Sequence, residues 1–212
     1  MDYDTILFDL DGTLIESAEG IVNAAVFALE KMQIKEIDRK ALLKFVGPPL
    51  ADSFKIFYQM NEADVKQAVI YFREYYEAKG IFENQLYDGI SDLLFDLNAA
   101  GKQLAIATSK TEQSARIIAH HFKIDTAFKV IAGATRDQKR STKSEVIAYC
   151  LEQMKSKNIV MIGDRKFDMI GAKANHLKSI GVLYGYGNRE ELKAAHADHI
   201  ISSVAQLRTY LI

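Results

Sequence analysis

Thr5-Ile6-Leu7-Phe8-Asp9-Leu10-Asp11-Gly12-Thr13-Leu14 opens apolar and turns acidic. Residues 5–8 form a short uncharged run that reads as a buried strand stopping at Asp9. Two carboxylates two positions apart at a strand end can face one site if the chain turns there. Gly12 makes that turn easy. An acidic turn that only meets water is the plainer reading of the same residues, so the rest of the chain has to separate the two.

Working outward, residues 17–80 are strand-free. Ile21, Ala25, Ala28, Leu29 and Met32 mark one helical face. Ala41, Leu42 and Phe45 suggest a second, short helix, broken by Gly47-Pro48-Pro49. Residues 54–58 and 62–79 predict two more, the last carried by Val65, Val69, Phe72 and Tyr76. After Gly80 the pattern changes. Strands are expected at 103–107, 128–132, 159–162, 179–183 and 198–201, with helices at 90–99, 112–120, 144–154, 169–174 and 204–211. Alternation of this kind predicts an α/β fold, a three-layer Rossmann-like core with a mostly parallel sheet. The helical block sits between the first strand and the others, so it reads as an inserted α-helical cap. The expected division is 1–15 and 82–212 for the core and 16–81 for the cap. Ligands of such folds bind beyond the carboxyl ends of the strands.

The polar residues of interest all fall at those ends. Asp164 and Asp168, in Gly163-Asp164-Arg165-Lys166-Phe167-Asp168, repeat the acidic pair after a second buried strand. A helix N-terminus favours one such acid, but not four acids converging. Gathered carboxylates repel unless a cation lies between them. All-oxygen donors, with no histidine or cysteine cluster nearby, favour Mg2+ over zinc. Thr108 and Lys143 offer a hydroxyl and a positive charge at the same sheet edge, as a phosphoryl group requires. Each taken alone is more simply a helix cap or a surface lysine.

Bulk properties narrow the field. The chain has 212 residues and a formal net charge of -1, so no global positive field draws a nucleic acid polymer. The single cysteine, Cys150, excludes an internal disulfide and reads as a small core residue. The first residues lack a basic-then-apolar leader, and no run approaches the roughly 18 apolar residues of a membrane span. A cytoplasmic protein with no membrane partner is expected, as a monomer or weak homodimer. The five histidines are scattered and read as structural or solvated.

Four segments in order resemble the haloacid-dehalogenase-like superfamily, in its phosphoglycolate-phosphatase-like branch with a helical cap. They are Phe8 to Leu14 quoted above, Ala107-Thr108-Ser109, Lys143, and Gly163 to Asp168. The resemblance spans essentially the whole chain. It implies a magnesium-dependent phosphomonoester hydrolase. Asp9 would attack phosphorus and form an aspartyl-phosphate, and Asp11 would serve as acid, then base. The metal would be held by Asp9, the backbone carbonyl of Asp11, and Asp164. Thr108, Ser109 and Lys143 would hold the substrate phosphate, and Asp168 would support the metal shell or orient Lys143.

Two departures stand out. Glu16-Ser17 replaces an aspartate and serine common in that branch, and Arg136-Asp137-Gln138-Lys139-Arg140, which reads as a solvated loop, precedes Lys143. The default substrate is a small phosphorylated metabolite. The stretch Tyr184-Gly185-Tyr186-Gly187 resembles members labelled 5'-nucleotidase, which makes nucleoside monophosphates the main alternative. A sugar phosphomutase is a further one. A dehalogenase would lack Asp11, and a non-enzymatic phosphate binder would lose one or more of Asp9, Asp11, Thr108, Lys143 and Asp164. In the cap, Lys44, Lys55 and Arg73 are candidate anion contacts. Tyr71, Tyr75 and Tyr76 read as packing residues before they read as a base-stacking platform.

Overall fold

The computed structural model describes residues 3–35, 38–137, 139–154 and 156–212. In chain order the elements are β1 (Thr5–Phe8), β2 (Ile15–Glu16), α1 (Ala18–Lys31), α2 (Leu50–Tyr58), α3 (Glu62–Ala78), β3 (Gln85–Leu86) and α4 (Ile90–Ala99). They continue as β4 (Gln103–Thr111), α5 (Glu112–His121), β5 (Val130–Ala134), α6 (Lys143–Gln153), β6 (Ile159–Gly163) and α7 (Lys166–Ala174). The chain closes with β7 (Lys178–Val182), α8 (Arg189–Ala194), β8 (His199–Ile201) and α9 (Val204–Leu211). The chain forms two compact units. One runs through Glu16 and resumes at Leu86, and the other is Ser17–Gln85.

The first unit is built on a six-stranded sheet ordered β5-β4-β1-β6-β7-β8, and each recorded pairing is parallel. β1 is buried along its whole length because both its neighbours and both its faces are covered, which is why it reads as an unbroken apolar run. Leu7, Ala105, Ala107 and Met161 share one face with Val146, Ile147 and Cys150 of α6 and Ala172 of α7. The alternate residues Ile6, Phe8, Ile106 and Ile162 are fully buried on the other face. Right-handed crossovers explain the layering. The chain steps from β1 to β4 to β5 in one direction, then returns past β1 to β6, β7 and β8, so the connecting helices change face. The order reverses between β1 and β6, the place where open α/β sheets bind ligands.

Several boundaries differ from those expected. β4 continues past residue 107 to Thr111, because Ala107 pairs with Ala132 and Thr111 with Ala134, four positions advancing against two. That bulge keeps the chain in the sheet while breaking the side-chain alternation. α6 begins at Lys143, one residue early, because Thr142 caps it. The Thr142 hydroxyl accepts from Glu145 N, and the Glu145 carboxylate accepts from Thr142 N. α7 begins at Lys166 rather than 169, so Asp168 lies in its first turn. β2 and β3 form a separate two-stranded ribbon. At two residues each, they are too short to show a strand pattern.

The second unit is helical. α1 closely approaches the 3-10 turn Gly80–Phe82 that follows α3: a Cβ on Gly20 would lie 2.0 Å from the Gly80 carbonyl oxygen. Residues Ala41–Phe45 form a 3-10 turn rather than an α-helix, and α2 starts directly after Pro49, where a fixed φ of -55° suits a helix entry. Asn61 caps α3 through Ala63 N and Asp64 N at 2.9 and 3.0 Å. The aromatic residues pack the unit. Phe45 meets Phe54 at 5.0 Å, and Tyr76 stacks on Phe72 at 5.7 Å. Tyr75 packs on Phe27 and donates to Glu83. Lys44 lies over the rings of Phe57 and Tyr58, while Lys55 and Arg73 are exposed.

Candidate active site

β1 and β6 deliver the first acids. Asp9 follows β1 and is anchored by its own N–H to the Ile162 carbonyl at 2.8 Å. Its Oδ1 accepts from Leu10 N at 2.7 Å. Asp164 follows β6, and its Oδ2 accepts from Tyr186 N at 2.7 Å. Asp168 turns back from α7 to accept from Arg165 N at 3.0 Å. Gly163 makes room for it, since a Cβ there would lie 2.2 Å from Asp168 Cγ. Ligand oxygens of Asp9, Asp164 and Asp168 all lie within 4.8 Å of one another, and all three residues are buried.

Lys143 links two of these acids. Its Nζ lies 2.7 Å from Asp9 Oδ1, 2.8 Å from Asp168 Oδ1 and 3.0 Å from the Ala107 carbonyl oxygen. Its contact with Asp168 is an ion pair rather than an aligned hydrogen bond, because Oδ1 there has no partner of good geometry. Burial alone disfavours the charged ammonium, but Asp168 and Asp9 outweigh it and hold Lys143 charged above its ordinary range. Burial pushes the Asp9 carboxyl up to about 6, against the pull of Lys143 and with repulsion from Asp168. Asp164 is raised well above the usual carboxylate range, first by burial, then by Asp168 and Asp9.

Asp11 stands apart from the three-acid cluster. Its Oδ1 is 3.2 Å from Lys110 Nζ. Thr108 is buried on the bulged segment of β4, and its hydroxyl accepts from Lys110 N at 3.2 Å. Ser109 beside it is half-buried. The structure thus brings Asp9, Lys143, Asp164 and Asp168 into direct proximity. It gives the Asp11 carboxylate a lysine partner of its own.

The donor set fits a divalent cation. Asp164 Oδ1 is buried with no hydrogen-bond partner among the described residues. Leaving such an acceptor unpaired is costly. The site gathers four carboxyl groups, Asp9, Asp11, Asp164 and Asp168, with two ammonium groups, Lys143 and Lys110, an excess of acids over bases. Hard oxygen donors with that excess suit Mg2+-type ions.

Some contributors were not anticipated from sequence. Lys110 was one, and its position just beyond Thr108-Ser109 was the available signal. The loop after β7 was another. Cβ atoms on Gly185 and Gly187 would lie 2.5 Å from Asp164 Cβ and 1.9 Å from Asp164 O, so those glycines let the loop close over Asp164. Tyr186 also donates to Glu16 Oε1 at 3.1 Å, and Tyr184 donates to Thr13 O at 3.1 Å. The loop before Lys143 is not simply solvated. Arg140 pairs with Glu112, donates to Gly133 O at 2.8 Å and lies 3.9 Å over the Tyr149 ring. Lys139 beside it is exposed, and Gln138 lies outside the described residues. Cys150 is buried, and burial pushes its thiol up to about 12, which suits a core residue rather than a nucleophile.

Comparison with known proteins agrees with this geometry. Residues 6–182 match the haloacid dehalogenase-like hydrolases. The chain is 42% identical to a protein named 5'-nucleotidase from Pseudomonas aeruginosa, covering 99% of this chain and 96% of that one. It is 40% identical to the tyrosine-protein kinase PtkA of Mycobacterium tuberculosis, over 87% of this chain and 64% of that protein. A crystal structure described as a predicted phosphatase from Clostridium acetobutylicum superposes with a TM-score of 0.95 at 46% identity, covering 99% of this chain and 98% of that one. The chain belongs to the haloacid dehalogenase-like hydrolase family and is a phosphatase of that family. Among the described residues, no helix is long and apolar enough to cross a membrane.

Proposed function

We propose that the chain is a magnesium-dependent phosphomonoester hydrolase acting through an aspartyl-phosphate on Asp9. The observation that carries this reading is the buried convergence of Asp9, Asp164 and Asp168 at the reversal point of the sheet, with Lys143 paired to Asp9 and Asp168. Asp9, Asp164 and the backbone carbonyl of Asp11 would hold Mg2+. When bound, the cation neutralises charge shared between an anionic nucleophile and an anionic substrate.

The remaining steps belong to the chain's own groups. The Asp9 carboxylate, fixed by Leu10 N–H and Lys143, attacks phosphorus as the bond to the leaving oxygen breaks. Asp11 gives that oxygen a proton, so the alcohol departs neutral. Asp11 then takes a proton from water, whose oxygen attacks phosphorus, releases inorganic phosphate and restores Asp9. Thr108 and the backbone N–H groups near Ser109 supply donors to the transferring phosphoryl oxygens. Lys143 keeps Asp9 ionised and oriented, and Asp168 holds Lys143 in place. The helical unit is assigned the role of a cap that selects substrates.

Small phosphorylated metabolites are the substrate class, phosphoglycolate among them. The relative named 5'-nucleotidase favours nucleoside monophosphates as a second reading. A phosphate-release panel tests the proposal. It should contain phosphoglycolate, sugar phosphates, purine and pyrimidine monophosphates and pyrophosphate, compared by kcat/KM with magnesium and with chelator. Release from several monoesters that stops on chelation is the expected result. Release from none of them, or from diesters alone, would overturn it.

A further inference from the structure

The phosphoryl chemistry accounts for four acids and Lys143 but leaves Lys110 without a task. Lys143 cannot easily serve elsewhere, since three oxygens surround its ammonium at 2.7–3.0 Å and its side chain is only 4% exposed. Lys110 is a second cation beside these acids. Its side chain is 9% exposed, and its ammonium contacts Asp11 Oδ1 at 3.2 Å. Taking such a pair out of water is not an efficient way to stabilise a fold.

The backbone is shaped to put Lys110 there. The bulge between Ala107 and Thr111 re-aims the end of β4. Gly133 of β5 lets the bulged segment lie close, because a Cβ there would stand 2.4 Å from Lys110 O and 2.6 Å from Glu112 N. The Lys110 backbone N–H donates to the Thr108 hydroxyl, so the Thr108 side chain is tied to the backbone from which Lys110 projects. If Asp11 hydrogen-bonds the leaving oxygen, the Lys110 ammonium lies on the order of 6 Å from that oxygen. A carboxylate or second phosphoryl group one or two bonds beyond the leaving oxygen falls in that range.

We propose that Lys110 is a specificity residue whose ammonium binds an anionic group carried by the leaving group. This inference rests on the phosphatase reading above, with Asp11 at the leaving oxygen. It separates two substrate classes. Pyrophosphate and phosphoglycolate present an anion at that position, and nucleoside monophosphates and aryl phosphates do not. An ammonium is a compact cation with three rotatable donors, suited to either kind of anion.

The test compares kcat/KM for pyrophosphate and phosphoglycolate with that for adenosine monophosphate and p-nitrophenyl phosphate. It uses the full chain, Lys110→Met and Lys110→Arg, with thermal melts to confirm folding. Lys110→Met should lower the anionic pair about tenfold more than the neutral pair, and Lys110→Arg should recover most of that difference. Equal losses on both pairs, or none, would overturn the inference while leaving the phosphatase reading intact. Wild-type release from none of the four would refute the phosphatase reading instead. Titration of pyrophosphate and orthophosphate into wild type and Lys110→Met with magnesium then decides the role of Lys110. Selective weakening of pyrophosphate supports it, and equal weakening or no change contradicts it.

Discussion

At the scale of single residues, the site gathers buried acids whose ionisation is opposed. Asp9 and Asp164 both have raised carboxyl pKa values because burial and neighbouring acids oppose ionisation. A carboxyl raised above its unfolded value stabilises the fold at low pH, and that contribution is lost as pH rises through the folded value, about 6 for Asp9. Bound Mg2+ should reverse the trend by displacing those protons. Its affinity should therefore weaken as pH falls through 6, with proton release visible as a buffer-dependent enthalpy in titration calorimetry. Affinity that stays constant from pH 5 to 8 would count against this account. Lys143 is the converse case. Lys143→Met strands Asp9, Asp168 and the Ala107 carbonyl together, at a cost of about 3–5 kcal/mol in urea unfolding of the metal-free protein. A loss below 1 kcal/mol would show that the lysine is not the counter-ion described. Asp9, Asp11, Thr108, Lys143 and Asp164 stand out as candidates in the sequence because each stands where an apolar run ends or a helix begins. Lys110 was not, since a lysine beyond a strand resembles any solvated lysine until its partner is known.

At the scale of elements, caps and bulges set where the functional side chains land. The Thr142–Glu145 capping box fixes the first turn of α6 and hence Lys143. Backbone N–H groups of Thr142 and Ser141 hold the Glu145 carboxyl down at about 2, below its ordinary 4.5. A depressed carboxyl stabilises the fold above its unfolded value and loses that contribution as pH falls toward the folded one. Glu145→Gln should therefore lower the thermal midpoint at pH 7, with the gap closing between about pH 4.5 and 2. A gap independent of pH would contradict the capping role. The Ser/Thr-x-x-Glu pattern was present at Thr142, yet the helix was expected one residue late. β4 was cut short at 107 for a related reason: a bulge destroys the period-two alternation that marks a strand. α8 was missed because its six residues are mostly polar and its cap, Asn188, sits in a glycine-rich turn.

At the scale of the whole molecule, the parallel order β5-β4-β1-β6-β7-β8 puts the ends of β1 and β6 side by side. Acids separated by more than 150 positions in sequence thereby become neighbours. This much was legible, because buried parallel strands are continuous apolar runs and the helical insertion has its own period. The glycines at 185 and 187 were not legible as part of the site, since only the folded chain shows how closely they approach Asp164. A cation that binds the folded chain and not the unfolded one must raise its stability. Saturating Mg2+ should raise the thermal midpoint of wild type by several degrees and that of Asp164→Asn by much less. Equal shifts would place the ion elsewhere. The central claim, that Asp9 accepts the phosphoryl group, is tested most directly by initial rates of p-nitrophenyl phosphate hydrolysis. Wild type and Asp9→Asn should be compared with magnesium present, alongside circular dichroism of both. The account predicts a loss of at least about a thousandfold in a folded Asp9→Asn protein. A folded variant that hydrolyses within tenfold of the wild-type rate would contradict it.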